Sequence, residues 1–184
     1  LKNFTSLIKP ARNTIPIYLA AINQKMVDLT WSIADGVIFY LRPLDEMKQT
    51  ISKMQAKKNI DVACQIITCI SEDSDDAILR AKKTLAFYIS VGKIYREFLE
   101  NNGFKNETNN IFNEFKKSGF KSNHELVTDS MLDSLCISGT PEESKNKLQN
   151  FIDAGIDLPI IQFNPVGDTL ESFMLLKKTF LDEK

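Results

Sequence analysis

Apolar residues in this chain fall into short, nearly continuous blocks separated by longer stretches in which they recur every three or four positions. The blocks are Ile15–Ala21, Gly36–Leu41, Asp61–Ile70 and Leu158–Phe163. Blocks of this length that scarcely alternate suit parallel strands covered on both faces. The stretches between them read as helices. Met26, Leu29, Thr30 and Ile33 share one helical face, and Leu44, Met47, Ile51 and Met54 share the next. The acidic run Ser71–Asp76 offers caps for a third helix, with Ala77, Ile78, Ala81 and Leu85 at helical spacing behind it. Thr140-Pro141-Glu142-Glu143 is a capping box with proline at the first helical position. Leu148, Phe151 and Ile152 form the apolar face of that helix, and Gly155 closes it. Asn164–Asp168 is a loop before a last amphipathic helix, Leu170–Leu181.

Residues from about 92 to 136 break this alternation. They read as successive short helices with no strand between them, and Gly103 and Gly119 stand where helices should end. This is a helical insertion before the last strand, much longer than an ordinary connecting loop. Its aromatics Tyr95, Phe98, Phe104, Phe112 and Phe115, with Tyr88 ahead of them, suit either a packed core or a pocket wall. Strand–helix alternation predicts an α/β fold with a parallel sheet and right-handed crossovers.

The unit Ile15–Tyr40 carries the most specific chemistry. Its first strand ends in the small residues Ala20-Ala21, and the turn Ile22-Asn23-Gln24 then opens a helix. Unpaired N–H groups at a helix start suit an anion such as phosphate. The simpler reading is that Asn23 only caps the helix. Arg42, just past a strand end, is placed either to meet an anionic ligand or to form a surface ion pair. Lys57-Lys58, Lys82-Lys83 and Lys116-Lys117 read as solvated faces.

Composition narrows the classes. At 184 residues the chain is the size of one domain, and its net charge of −1 gives no electrostatic reason to expect nucleic acid or a membrane surface. No apolar run is long enough to span a bilayer, and Leu1–Pro10 lacks the apolar core of a signal peptide. Cys64, Cys69 and Cys136 form no metal-type spacing; they read as buried thiols in a reducing compartment, which points to the cytoplasm. The single histidine, His124, lies in a polar stretch and reads as a surface residue, so no metal site is expected.

The segment Ile15–Ala21, then Lys25-Met26, then Ala34-Asp35-Gly36-Val37-Ile38, resembles the second half of luciferase-like monooxygenases. Gly139–Glu143, Asp153–Asp157 and the strand that follows resemble the last βαβ segment of that superfamily, and Ala86-Phe87-Tyr88 with Tyr95 and Phe104 match it in spacing. The nearest branch uses the deazaflavin coenzyme F(420) and contains methylene-tetrahydromethanopterin reductases. The resemblance implies a (β/α)8 TIM barrel, of which this chain, residues 1–184 as one domain, supplies the C-terminal half with about four parallel strands. An isolated half would expose two sheet edges and an apolar interior, so the implied partner is the missing N-terminal half, with homo-oligomers at full length. The implied activity is an oxidoreductase moving a hydride between F(420) and a small-molecule carbon substrate such as a methylene-tetrahydropterin. The alternatives are an FMN-dependent monooxygenase or a flavin-binding protein without turnover. Carried over from relatives, the coenzyme's phosphate side chain meets Ala21, Ile22, Asn23 and Lys25, and Tyr40 faces the same ligand. Relatives commonly have Gly-Gly-Pro or Gly-Pro in that turn. The bulkier Ile22-Asn23-Gln24 here limits close approach to the backbone, which the Asn23 amide or the Lys25 charge could offset. Catalytic groups in relatives sit mainly on the early strands, so none is assigned here.

Overall fold

The computed structural model describes Arg12 and residues 14–181. The Leu1–Pro10 segment lies outside them. Five strands, β1 (Tyr18–Ala20), β2 (Gly36–Tyr40), β3 (Asp61–Ile70), β4 (Cys136–Gly139) and β5 (Leu158–Phe163), form one parallel sheet. The helices are α1 (Gln24–Ile33), α2 (Leu44–Gln55), α3 (Ser74–Val91), α4 (Lys93–Leu99), α5 (Lys105–Ser118), α6 (Asp129–Leu135), α7 (Pro141–Asp153) and α8 (Thr169–Phe180).

β3 is the spine of the sheet. β2 pairs with its residues 61–65, β5 with 63–68 and β4 with 67–70. Because β5 overlaps both of the others, β2 and β4 lie end to end along the opposite edge of β3. The four-residue β4 is a strand that no apolar block marks. It follows directly on α6, and the chain there is too short and too mixed to stand out as a strand block. The other three interior strand ranges match within a residue, whereas β1 is shorter than the Ile15–Ala21 block.

Side-chain alternation splits the core. Val37, Phe39, Val62, Cys64 and Ile66 pack with Trp31, Met47, Ile51, Met54 and Phe151 from α1, α2 and α7. Ile67, Cys69 and Cys136 pack instead beneath α3, α5 and α6, against Ala81, Leu85, Ile111 and Met131. The three cysteines are free and buried. Burial pushes the Cys64 and Cys69 thiols up to about 12, as expected for inert core residues.

Two helical faces are rotated from their expected positions. In α1 the buried residues are Val27, Thr30 and Trp31, while Leu29 and Ile33 are exposed. The competing stripe at 27, 30, 31 and 34 holds the larger Trp31, whose indole N–H donates to the Lys58 carbonyl (3.1 Å) and whose ring stacks on Phe39. In α7 Phe151 is buried but Ile152 is exposed. The α2 and α3 faces lie as expected. The Thr140 capping box is present: Glu143 N–H donates to Thr140 Oγ1 and Thr140 N–H to Glu143 Oε2. Gly119 ends α5 at φ +68°, and Gly103 at φ +99° forms the kink between α4 and α5.

The amino ends of the strands share one device. Asp35 Oδ2 accepts the Ile17 N–H (2.8 Å), Asp157 Oδ2 accepts the Val62 N–H (2.9 Å), and Asp61 accepts the Tyr18 hydroxyl. Asp35 and Asp157 satisfy donors on the neighbouring strand's segment, and Asp61 on β3 reaches across β2 to Tyr18 of β1. Tyr18 lies across Gly36, where an added Cβ would sit 2.3 Å from its ring.

Apolar residues are exposed at both flanks of the sheet. Ile15, Ile17, Leu29 and Ile33 lie by β1 and α1; Leu158, Ile160, Leu170, Phe173 and Met174 lie by β5 and α8. β1 pairs only with β2, and β5 only with β3, among the described residues. No helix among the described residues is long and apolar enough to cross a membrane.

Candidate ligand site at the carboxyl ends of the strands

β1 ends against a turn that is held from beneath. Ala21 is buried and its N–H donates to the Ile38 carbonyl, which extends the sheet by one bond. Asn23 is the N-cap of α1, its Oδ1 accepting the Met26 N–H at 3.0 Å. The helix-cap reading of Asn23 is therefore correct as far as it goes. The cap still leaves the Gln24 and Lys25 N–H groups without a protein acceptor among the described residues, and the first turn of α1 contains no acid. Asn23 and Lys25 are exposed, and Ile22 is half-buried.

Arg42 is not a surface residue. Its side chain is 3% exposed, and its Nη2 donates to the Ile22 carbonyl at 2.5 Å. Nη1 meets Glu46 at 3.0 Å, and the guanidinium lies over the rings of Phe39 (4.5 Å) and Phe98 (4.8 Å). Burial pulls its proton affinity down, and Glu46 opposes that shift. The guanidinium thus ties the end of β2 to the turn after β1. Between them, Leu41 is buried at φ +49°, a left-handed conformation that costs a branched residue about 1 kcal/mol or more.

Tyr40 packs edge-on against Tyr88 (centroids 5.3 Å) and Tyr95 (5.4 Å). Its hydroxyl is buried and makes no well-formed hydrogen bond, although the Tyr88 hydroxyl and Gln162 lie beside it. Burial pushes this phenol well above its ordinary range, Tyr88 pushes the same way, and Gln162 opposes them. A neutral phenol keeps an O–H to give to a ligand atom that reaches it. Beside it, Gln65 donates to Gln162 (3.0 Å), and Gln162 donates to the Tyr88 hydroxyl (3.3 Å).

The structure thus places Ala21, Ile22, Asn23 and Lys25 together and links them through Arg42 to the strand that carries Tyr40. Beyond Tyr88 a cleft of about 390 Å³ opens, walled by α3, the segment after α5 and the end of β5. His124 lines it, a half-buried residue at the surface whose Nδ1 is shielded and without a hydrogen-bond partner. Of the insertion aromatics, Phe104 is core, whereas Tyr95 joins the Tyr40 cluster. Among the described residues, no group of three or more His, Cys, Asp or Glu side chains could hold a metal ion.

A parallel sheet with helices behind it, and its polar groups gathered at the strands' carboxyl ends, defines part of a barrel of the (β/α)8 type, in which ligands sit at that face. The sequence agrees: the model of the luciferase-like monooxygenase family matches residues 1–158, and the chain belongs to that family. It is similar to the 5,10-methylenetetrahydromethanopterin reductase of Methanolobus tindarius, with 26% identity over 88% of this chain and 52% of the relative. It is equally similar to that of Archaeoglobus fulgidus, with 26% identity over 91% of this chain and 54% of the relative. The coenzyme F(420)-dependent tetrahydromethanopterin reductase of Methanopyrus kandleri superposes with a TM-score of 0.74 and 23% identity, covering 90% of this chain and 50% of that one. The chain therefore spans about half the length of the relatives it matches, and its fold is that of half a luciferase-like barrel.

Proposed function

We propose that this chain supplies the C-terminal half of a barrel oxidoreductase that moves a hydride between coenzyme F(420) and a carbon substrate of the methylene-tetrahydropterin type. The observation that carries this reading is the 26% identity to two methylenetetrahydromethanopterin reductases, sustained over about nine-tenths of the chain. The coenzyme, when bound, supplies the hydride chemistry, and the protein supplies binding and orientation. The N–H groups around Ala21, Ile22 and Asn23, with the Lys25 charge, hold its phosphate side chain. Arg42 keeps the Ile22 carbonyl turned away from that anion. The Tyr40 hydroxyl is a donor toward the coenzyme from the next strand. Residues 1–184 act as one domain, and an N-terminal half covers the exposed apolar flanks at β1/α1 and β5/α8. The full-length protein forms homo-oligomers. A second reading, FMN-dependent oxygen chemistry on the same turn, draws its support from the family's monooxygenase description.

Substitution Asn23→Asp tests the site. Aspartate still caps α1, but its charge opposes a phosphate. Like charges about 4 Å apart cost roughly 1 kcal/mol in water and about 4 at an effective dielectric near 20. Coenzyme affinity in the polypeptide that carries this chain should fall about tenfold or more. Fluorescence titration with F(420) and with FMN measures it and separates the two readings. Equal affinities in parent and variant would remove Asn23 from the site.

A further inference from the structure

We propose that the cleft between α3 and the end of β5 is a binding site for a planar aromatic ring bearing a carboxylate, distinct from the turn assigned to the coenzyme phosphate. The helix α3 has two working faces. Ala77, Ala81, Leu85 and Ile89 are fully buried against the sheet and the other helices. Arg80, Lys83, Thr84, Phe87 and Tyr88 recur at the same three- and four-residue spacing on the next face, and all five line the cleft. Thr84 and Tyr88 also pack inward, which leaves Arg80, Lys83 and Phe87 of this face for a ligand in the cleft.

Its chemistry is one-sided. Arg80 and Lys83 line the cleft, and no Asp or Glu does, in a chain whose net charge is −1. Arg80 is held in place, with Nε donating to the Pro165 carbonyl (3.1 Å) and Nη1 to Thr84 Oγ1 (2.9 Å). Nη2 has no protein acceptor among the described residues, so a fixed guanidinium presents an unused edge of the kind that carboxylates pair with. Lys83 is exposed and forms no ion pair among the described residues, unlike Lys82, which meets Asp129.

The aromatic half of the ligand is specified by Phe87 and Phe120. These two rings lie against each other at the cleft, with centroids 5.5 Å apart and a 32° tilt, and are 46% and 50% exposed; Phe120 also packs on Phe115 (4.7 Å) and Tyr88 edge-on to Phe87 (5.5 Å), so the outer ring faces are what a ligand can cover. Large rings left half in water beside a cavity are stacking surfaces for another ring. The cleft's volume of about 390 Å³ suits a molecule of one or two rings. A carboxylate matches the flat Arg80 edge and the single flexible Lys83 better than a tetrahedral dianion does.

The test is calorimetric titration of the polypeptide that carries this chain with naphthalene-2-carboxylate, its neutral carboxamide and inorganic phosphate. The carboxylate should bind at least tenfold more tightly than either comparator, and added salt should weaken it. Lys83→Glu should lower carboxylate affinity about tenfold while leaving the melting temperature and F(420) affinity unchanged. Phe120→Ala should weaken the carboxylate and the carboxamide alike. Equal binding of carboxylate and carboxamide, phosphate binding as tight as the carboxylate, or parent-like binding by Lys83→Glu would each overturn the proposal. Loss of F(420) binding in the parent protein would sink the coenzyme reading and leave this one standing.

Discussion

Replacing Arg42 should have effects well beyond its own position. Arg42→Met keeps the volume of the stem and removes the guanidinium. Three contributions are lost together: the bond to the Ile22 carbonyl, the pair with Glu46, and the stacking over Phe39 and Phe98. A hydrogen bond from a charged donor contributes about 1.5–3 kcal/mol, and a desolvated cation–π contact roughly 0.5–2. Breaking a fully buried ion pair costs about 3–5 kcal/mol, because the remaining charge has no partner. Here Glu46 is 25% exposed and keeps the Thr50 hydroxyl at 2.7 Å, so water and Thr50 relieve part of that penalty. The desolvation cost of Arg42 itself is recovered. The balance is a loss of about 3 kcal/mol, measured as a urea midpoint shift in the polypeptide that carries this chain. The same change should free the turn, so hydrogen exchange at the Ala21, Met26 and Val27 amides, which are bonded around it, should speed up more than exchange in β3. Glu46→Gln, which leaves the Ile22 bond intact, should cost only about 1 kcal/mol and leave turn exchange unaltered. If Arg42→Met and Glu46→Gln were equally destabilising, with parent-like exchange in the turn, Arg42 would be a simple ion-pair residue and the tie between strand ends would be wrong.

Two further outcomes follow from contacts at the other elements. Gly36→Ala should destabilise by about 1–3 kcal/mol by thermal melting, since its Cβ would lie 2.3 Å from the Tyr18 ring; Tyr18→Ser in the same chain should recover part of that loss, and no recovery would mean the backbone rather than the ring is the obstacle. The Thr140 N–H and the Ser74 hydroxyl hold the Glu143 carboxyl below its usual value of 4.5, so its contribution to stability is fully present above about pH 4.5 and disappears as pH falls through its lower folded value. Urea midpoints of parent and Glu143→Gln should therefore converge as pH drops from 5 toward 3, and parallel curves would show that the carboxylate charge contributes nothing.

Much of this architecture is legible from local signals. β3 and β5 stand out because their apolar runs are long, and α7 because its capping box is explicit. The failures share a cause. The buried face of α1 is not legible locally, because Met26–Ile33 and Val27–Ala34 are both helical stripes and only contact with Phe39 and Lys58 selects the one that carries Trp31. β4 is not legible because four residues that complete the upper edge of β3 have no periodicity of their own. The turn Ala21–Lys25 could be found from a strand ending in small residues before a helix start. Arg80, Phe87 and Phe120 were not recognisable as one wall, because Arg80 and Phe120 lie forty residues apart and meet only through the fold. Asn123 and His124 carry no local sign that, within a mostly exposed polar segment, they line a cleft.

The aspartates at the feet of the strands have a consequence for strand alignment. Asp35, Asp61 and Asp157 stand at the amino ends of β2, β3 and β5, and each takes a donor from another strand's segment. A one-residue slip of β1 along β2, or of β5 along β3, would carry the Ile17 or Val62 N–H out of reach of its carboxylate and turn the side chains to the opposite face. These carboxylates therefore act as pins that hold the strands in the one alignment that brings Ala21, Arg42 and Gln162 to the same end of the sheet.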